Sequence, residues 1–404
     1  MIRAAVVLWI LSAVVCVGRG AHDPCHVQDT TVDRFNDGSA MVILANKEFA
    51  FHLYRKLSGL SDSQGKNIFF SPVSVSVALA ALSVGARGET HQQIFNGLGF
   101  NISQLSQSDV DQAFCSLLAN TRSHEDISAG TAVFVDNLFK PQPEFLDALK
   151  QSYLSEGFSV DFTKATDTAK TINKYVSDKT SGKIDKLVDS LDPSTVMYLL
   201  SYIYYKGTWS APLDPTMTKP DEFSAYMNKV SVQMMKIKKH FYTYEEAIDT
   251  GVLHLLLNNS FSMLLMLPGN MTTLENGISS AHVTKWLKGT ESSEFDIYVP
   301  KFSIKASYTL NDVLKEMGMT DMFDANLSGI SKDQNLTVSE VVHQAALDVD
   351  EVGAAAAAAT GSASTVYLGS PEPDLKFDRP FMLIIIDRYT ENIFFMGKIV
   401  NPNL

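Results

Sequence analysis

Six consecutive alanines, Ala354–Ala359, stand between Gly353 and Gly361 near the end of a chain of 404 residues. Alanine is the strongest helix former. Yet the run lies between two segments that read as strands, LTVSEVVHQAALDV before it and FMLIIID after it. Six residues between glycines are too few for a stable isolated helix. As a strand, the run would set Ala354, Ala356, Ala358 and Thr360 on one face and Ala355, Ala357, Ala359 and Gly361 on the other. All are small and uncharged, and they lose little side-chain entropy on burial. By composition alone the run reads as a low-complexity surface linker or a short helix. Only its surroundings distinguish these from a strand covered on both faces.

Those surroundings belong to an exported globular chain. MIRAAVVLWILSAVVCVGRGA begins with Arg3, continues with an apolar run from Ala4 to Val17 and ends in small residues. This is the pattern of a signal peptide over residues 1–20, cleaved after Gly20; the run is too short for a comfortable membrane span. Its removal, with Arg3 and Arg19 and no acidic residue, takes the net charge from −12 to −14. An acidic surface disfavours nucleic acid and anionic membranes. Cys25 and Cys115 remain after Cys16 leaves, so the core must hold the fold, with one bridge open to the pair in an oxidising compartment. Five sequons agree with export. Asn101, Asn258 and Asn270 sit in turn-like contexts and are the expected glycosylation sites, ahead of Asn326 and Asn335.

Residues 21–44 are polar and aperiodic, a flexible N-terminal tail. NKEFAFHLYRKL sets Phe49, Leu53 and Leu57 on one helical face. In SPVSVSVALAALSVGA, Ser71 suits a cap and Pro72 a first helical position, and the small residues predict a closely packed buried helix. DTAKTINKYVSDKTSGKI reads as an amphipathic helix using Ile172, Tyr175, Val176 and Lys179. Further on, TVMYLLSYIYYKGTW, HLLLNNSFSMLLMLP, FDIYVPKFSI, FMLIIID and NIFFMGKIV read as strands. Helices dominate the first half and strands the second, with no linker between residues 45 and 404. One large α+β domain is the economical reading.

Nothing in the chain signals catalysis. There is no GxSxG elbow, HExxH, P-loop or GxGxxG after a strand. His240 follows KIKK, a small anion patch or a solvated strand edge, and His343 reads as a core histidine. No enzyme, cofactor or metal is expected.

Six blocks taken together are specific. FFSPVSVSVALAALSVGA, YIYYKGTW, VPKFSI, VVHQAALDVDEVGAAAAAAT, FDRPFMLIII and FFMGKIVNP occur in the order and spacing of the serpin superfamily, and the chain most resembles its secreted antitrypsin-like branch. The resemblance spans residues 45–404. It implies a single domain of three β-sheets and about nine helices, with an exposed reactive loop over about 351–376. It matches Ser71 and Ser74 to the helix-start serines under the main sheet and His343 to the histidine of that region, the shutter. Trp209 matches the tryptophan at the top of the sheet, and Lys301 the lysine expected to pair with the hinge residue Glu351. One position departs: where the family usually has Asn, eight residues before that tryptophan, this chain has Ser201, which implies a rearranged or weaker network.

The resemblance also gives the alanines a role. In inhibitory serpins the cut loop inserts as a new central strand. Gly353 would supply the pivot, and Ala354, Ala355, Ala356, Ala357, Ala358, Ala359 and Thr360 would enter the sheet. No charge or proline occurs from Gly353 to Leu368 to oppose this. The implied function is suicide inhibition of a serine protease. The protease forms an acyl-enzyme on the loop and is carried about 50 Å as roughly 16 residues insert. Counting from Glu351 places the scissile bond at Tyr367–Leu368, whereas counting back from KFDRPF ends near Gly369. The hinge count is taken because insertion fixes that arm's length. A tyrosine suits a chymotrypsin-like pocket. The alternative on the same fold is a non-inhibitory hormone carrier. Heparin activation is disfavoured, because SDVDQAFCSLLANTRSHED carries one Arg and four acidic residues. A monomer is expected.

Overall fold

The fully buried helix predicted at SPVSVSVALAALSVGA is where the architecture is organised. The computed structural model describes residues 37–210, 213–237, 241–257, 260–289, 296–324, 327–332, 336–351 and 375–404. In it the helix Pro72–Ser83 is buried along its whole length, with Ser71 as its cap and Pro72 at its first position. It touches Ile393–Ile399 on one side and Met197–Lys206 and Ile127–Asp136 on the other, so it lies between two sheets. Small side chains, Ala78, Ala80 and Ala81 among them, let both sheets approach closely.

The described residues form nine α-helices and three sheets. The five-stranded sheet runs Phe302–Thr309, Glu340–Val349, Met197–Lys206, Ile127–Asp136 and Glu156–Val160. A six-stranded sheet contains Thr250–Leu256, Phe261–Pro268, Phe381–Asp387 and Ile393–Ile399, which are expected strands. A four-stranded sheet pairs Leu375–Lys376 with Ile297–Pro300 and continues through Lys229–Ile237 to Lys219–Ser224.

The five-stranded sheet divides the apolar interior. Val341, Ala345, Leu347 and Val349 join the large core that contains the buried helix. Val342 and Ala346, which alternate with them, pack with Ile172 and Val176 of the helix Ala165–Lys179. Every second residue of a strand points to the opposite face, so both faces of this sheet are covered.

The polar tail expected over residues 21–44 ends earlier than its sequence suggests. The helix expected around Phe49 begins at Asp37, and Val42 within it is 3% exposed. The leader, Cys25, Asn258, His240, Asn326 and Asn335 lie outside the described residues. So do Gly353, Ala354, Ala355, Ala356, Ala357, Ala358, Ala359, Thr360, Tyr367 and Leu368.

Candidate functional site at the strand seam and hinge

Two neighbours in the five-stranded sheet run parallel. Met197–Lys206 pairs with Glu340–Val349 from Tyr198 opposite Glu340 to Lys206 opposite Asp348. Their other partners in that sheet are antiparallel: Phe302–Thr309 beside Glu340–Val349, and Ile127–Asp136 beside Met197–Lys206. Along this seam Ser201 stands opposite His343.

His343 is fully buried and bonded at both ring nitrogens. The Ser71 amide donates to Nε2 at 2.9 Å, and Nδ1 lies 2.7 Å from Ser201 Oγ. Because Nε2 accepts from a backbone N–H, it carries no proton; Nδ1–H therefore donates to the serine oxygen. Burial pushes the imidazole pKa down to about 3, against a smaller upward pull from a bond with the Ser201 backbone. The ring is neutral at physiological pH and ties three elements together. The Ser71 hydroxyl accepts from the Ser74 amide at 3.1 Å and holds the helix start beneath the ring. Ser201 thus reaches His343 directly, without the amide usual at this position, so the shorter side chain closes the network.

Past Val349 the chain leaves the sheet and is held at once. The Trp209 indole donates to the Asp350 carbonyl at 2.6 Å. Glu351 is only 6% exposed. Its carboxylate accepts from Lys301 Nζ and Thr218 Oγ1, each at 2.8 Å, and its carbonyl accepts from the Leu213 amide at 3.2 Å. Burial raises the pKa of this carboxyl, but the bonds from Lys301, the backbone and Thr218 outweigh it and hold the group below its ordinary range. The same pairing raises the Lys301 pKa. Lys301 is placed by the link between Ile297–Pro300 and Phe302–Thr309, where its amide bonds the Gln233 carbonyl at 2.8 Å.

The chain re-enters the described structure at a second anchorage. Leu375 and Lys376 lie parallel to Ile297 and Tyr298. Lys376 pairs with Asp221 at 2.8 Å, and its ammonium sits 5.6 Å from the centre of the Tyr298 ring. The Phe377 amide bonds the Tyr298 carbonyl at 2.9 Å. The described chain thus stops at Glu351 beside the seam and resumes at Leu375 on the four-stranded sheet.

The structure thus brings together Ser71, Ser74, Ser201 and His343 in one cluster and Trp209, Lys301 and Glu351 in another. Sequence reasoning missed Thr218, which no local pattern marks. Asn101 and Asn270 are exposed, and Asn270 caps the helix Met271–Gly277 through its Oδ1. Cys115 is disulfide-bonded, and the chain's other cysteines, Cys16 and Cys25, lie outside the described residues. No described helix is long and apolar enough to cross a membrane.

Comparison with known proteins agrees with this geometry. The family model described as serpin (serine protease inhibitor) matches residues 44–402. Alpha-1-antiproteinase 2 of the horse, Equus caballus, is 38% identical over 95% of this chain and 90% of its own length. A serine protease inhibitor of the mouse, Mus musculus, is 38% identical over 91% of this chain and 90% of its own length. Among solved structures, human thyroxine-binding globulin complexed with thyroxine superposes with a TM-score of 0.84 at 34% identity, covering 91% of this chain and all of that one. The chain belongs to the serpin family.

Proposed function

We propose that this protein is a secreted serine protease inhibitor that works as a suicide substrate, and that it is not an enzyme. The observation that carries the reading is the seam. Two parallel strands lie side by side, and the chain leaving one of them at Glu351 leads directly into the alanine run. A segment that folds back from the end of Glu340–Val349 would run antiparallel to both seam strands and so fit between them. Both faces at that place are covered, by the buried helix and by Ala165–Lys179, so the entering strand must be small on both sides. Ala354–Ala359 meet that demand.

In this reading Ser71, Ser74, Ser201 and His343 form the shutter that must open. Trp209, Lys301 and Glu351 hold the top of the seam, and Gly353 is the pivot. A protease would attack the Tyr367–Leu368 bond, and insertion would carry the acyl-enzyme to the far end of the sheet. Distortion that removes its oxyanion hole alone costs about 10²–10³ in rate. The target is chymotrypsin-like, because the loop carries no Lys or Arg between Glu351 and Lys376 for a trypsin-like pocket. Export through the leader 1–20, glycans at Asn101, Asn258 and Asn270, a monomeric state, and independence of heparin, nucleic acid and membrane complete the proposal.

The test is to mix the protein with chymotrypsin and with trypsin. A complex with chymotrypsin that survives SDS, and release of a C-terminal fragment beginning at Leu368, are expected. Clean cleavage with no complex would overturn the inhibitory reading.

A carrier of a small apolar ligand is the second reading. It is favoured by the likeness to thyroxine-binding globulin and by a cavity of about 370 Å³, where Val77, Leu118, Ile127 and Phe394 lie beside the charged Arg122, Glu156 and Lys179. Thyroxine binding with no protease complex would establish it instead.

A further inference from the structure

The seam carries a second side-chain tie, on the face opposite His343. Asp348 lies near the hinge end of Glu340–Val349. Its Oδ1 accepts from Ser303 Oγ at 2.6 Å, on the neighbouring edge strand. Its Oδ2 accepts from Tyr204 OH at 2.9 Å, across the seam on Met197–Lys206. Lys183, in the connection that follows the helix Ala165–Lys179, completes the cluster. Its ammonium lies 3.5 Å from the same oxygen and 5.4 Å from the Tyr204 ring centre. Burial pulls the Asp348 pKa up, but the bonds from Ser303, Tyr204 and Lys183 prevail and keep it below its ordinary value. One carboxylate thus joins both seam strands, the edge strand and the covering layer.

We propose that Tyr204 and Asp348 form a latch that sets how fast the seam opens, a positioning device that rests on the insertion reading above. The geometry follows from strand spacing. A new strand between the two would move Tyr204 away from Asp348 by about 4.8 Å, so this bond cannot survive insertion. Ser303 stays with Asp348, because their strands are neighbours on the same side of the seam. The Tyr204 bond is therefore the contact of this cluster that insertion must break. It is placed to break early, because Asp348 is three residues before Glu351 and loop entry starts at that end. The shutter bond between Ser201 and His343 lies deeper along the seam and on the other face. Hydrogen bonds to charged groups are stronger than neutral ones, so loss of this one should be visible as a rate.

The test needs no protease. A fluorescently labelled synthetic peptide with the sequence of Gly353–Ser364 is added to the intact protein, and its incorporation is followed by anisotropy and native gel. Tyr204→Phe, which removes only the hydroxyl, is expected to take up the peptide about tenfold faster than the parent. Asp348→Asn, which keeps the shape and loses the charge, is expected to do the same. Tyr205→Phe, whose ring packs on Phe261 and Phe395 on the opposite face, is the control and should match the parent. Parental rates in both latch variants would overturn the latch while leaving the seam intact. Failure of every protein, parent included, to take up the peptide would overturn the insertion reading and the latch with it.

Discussion

On the proposed inhibitory reading, replacing Lys301 with alanine should give a protein that loses complex-forming activity on standing. Lys301 Nζ is 2.8 Å from Glu351 Oε2, and the glutamate side chain is 8% exposed while that of the lysine is 46% exposed. A fully buried carboxylate stripped of its cation costs about 3–5 kcal/mol, and an exposed pair costs about 0–1. This half-screened pair, with Thr218 still donating, falls between them at about 1–2 kcal/mol. If the hinge leaves its site before the seam opens, that loss lowers the barrier to self-insertion of the intact loop. One to two kcal/mol corresponds to a rate about 5–30-fold higher. The assay incubates parent and variant at 37 °C and measures residual complex formation with chymotrypsin over days. Lys305→Ala, which removes a solvent-facing ion pair to Asp185, serves as control. A Lys301→Ala protein that keeps its activity as long as the parent would refute the hinge argument.

Acid should act on the same region in two ways. The folded pKa of Glu351 is lowered, so its contribution is present above the unfolded carboxylate value and is lost as pH falls through the folded one. His343 is held neutral with a pKa of about 3, whereas the unfolded chain takes up a proton near 6.5. The unfolded state therefore binds more protons between these values, and lowering pH from 6.5 to 5 costs about 2 kcal/mol at this site. His254, with a pKa lowered to about 4, adds to the effect. Urea midpoints at pH 7 and 5 measure the histidine contributions, which His343→Gln should reduce, and midpoints taken below pH 4.5 add the loss at Glu351. Ala356→Arg should convert inhibitor to substrate, because an unpaired charge would be buried in the new strand; an unchanged complex yield on SDS gels would count against insertion. Tyr367→Arg should exchange chymotrypsin for trypsin as the better-inhibited enzyme, read from the two association rates. Cys25 is the expected partner of Cys115, and unreduced peptide mapping should recover the two joined; two alkylated cysteines would end that assignment.

Much of the fold can be read from local pattern. The strands on either side of Asn258 and Asn259 show because a turn signal separates two apolar runs. Phe302–Thr309 shows because one face is covered and alternate residues are exposed. Ile127–Asp136 is harder to see. Its opening Ser128, Ala129 and Gly130 are small and half-buried, lie among helices, and carry neither the alternation nor the apolar run of a strand. The helix extension to Asp37 is hidden for a similar reason, since its first turn lacks an apolar period. The site divides in the same way. Ser71, Trp209, Lys301 and His343 stand out through the family resemblance. Tyr204, Thr218 and Asp348 do not, because Tyr204 meets Asp348 across 144 positions of chain and Thr218 meets Glu351 across 133. The first contact comes from the register of a parallel strand pair and the second from loops that meet at its end, and no window of sequence contains both members of either.

Suicide inhibition of the proposed kind requires that Ala354–Thr360 become a strand in the five-stranded sheet. The most direct test is hydrogen exchange on protein cut once within residues 361–374 by a protease that it does not trap, compared with the intact protein. With insertion, the Ala354–Thr360 amides should exchange fast before cleavage and become protected afterwards, together with a higher thermal midpoint. Amides in that run that still exchange freely after cleavage, at an unchanged midpoint, would contradict it.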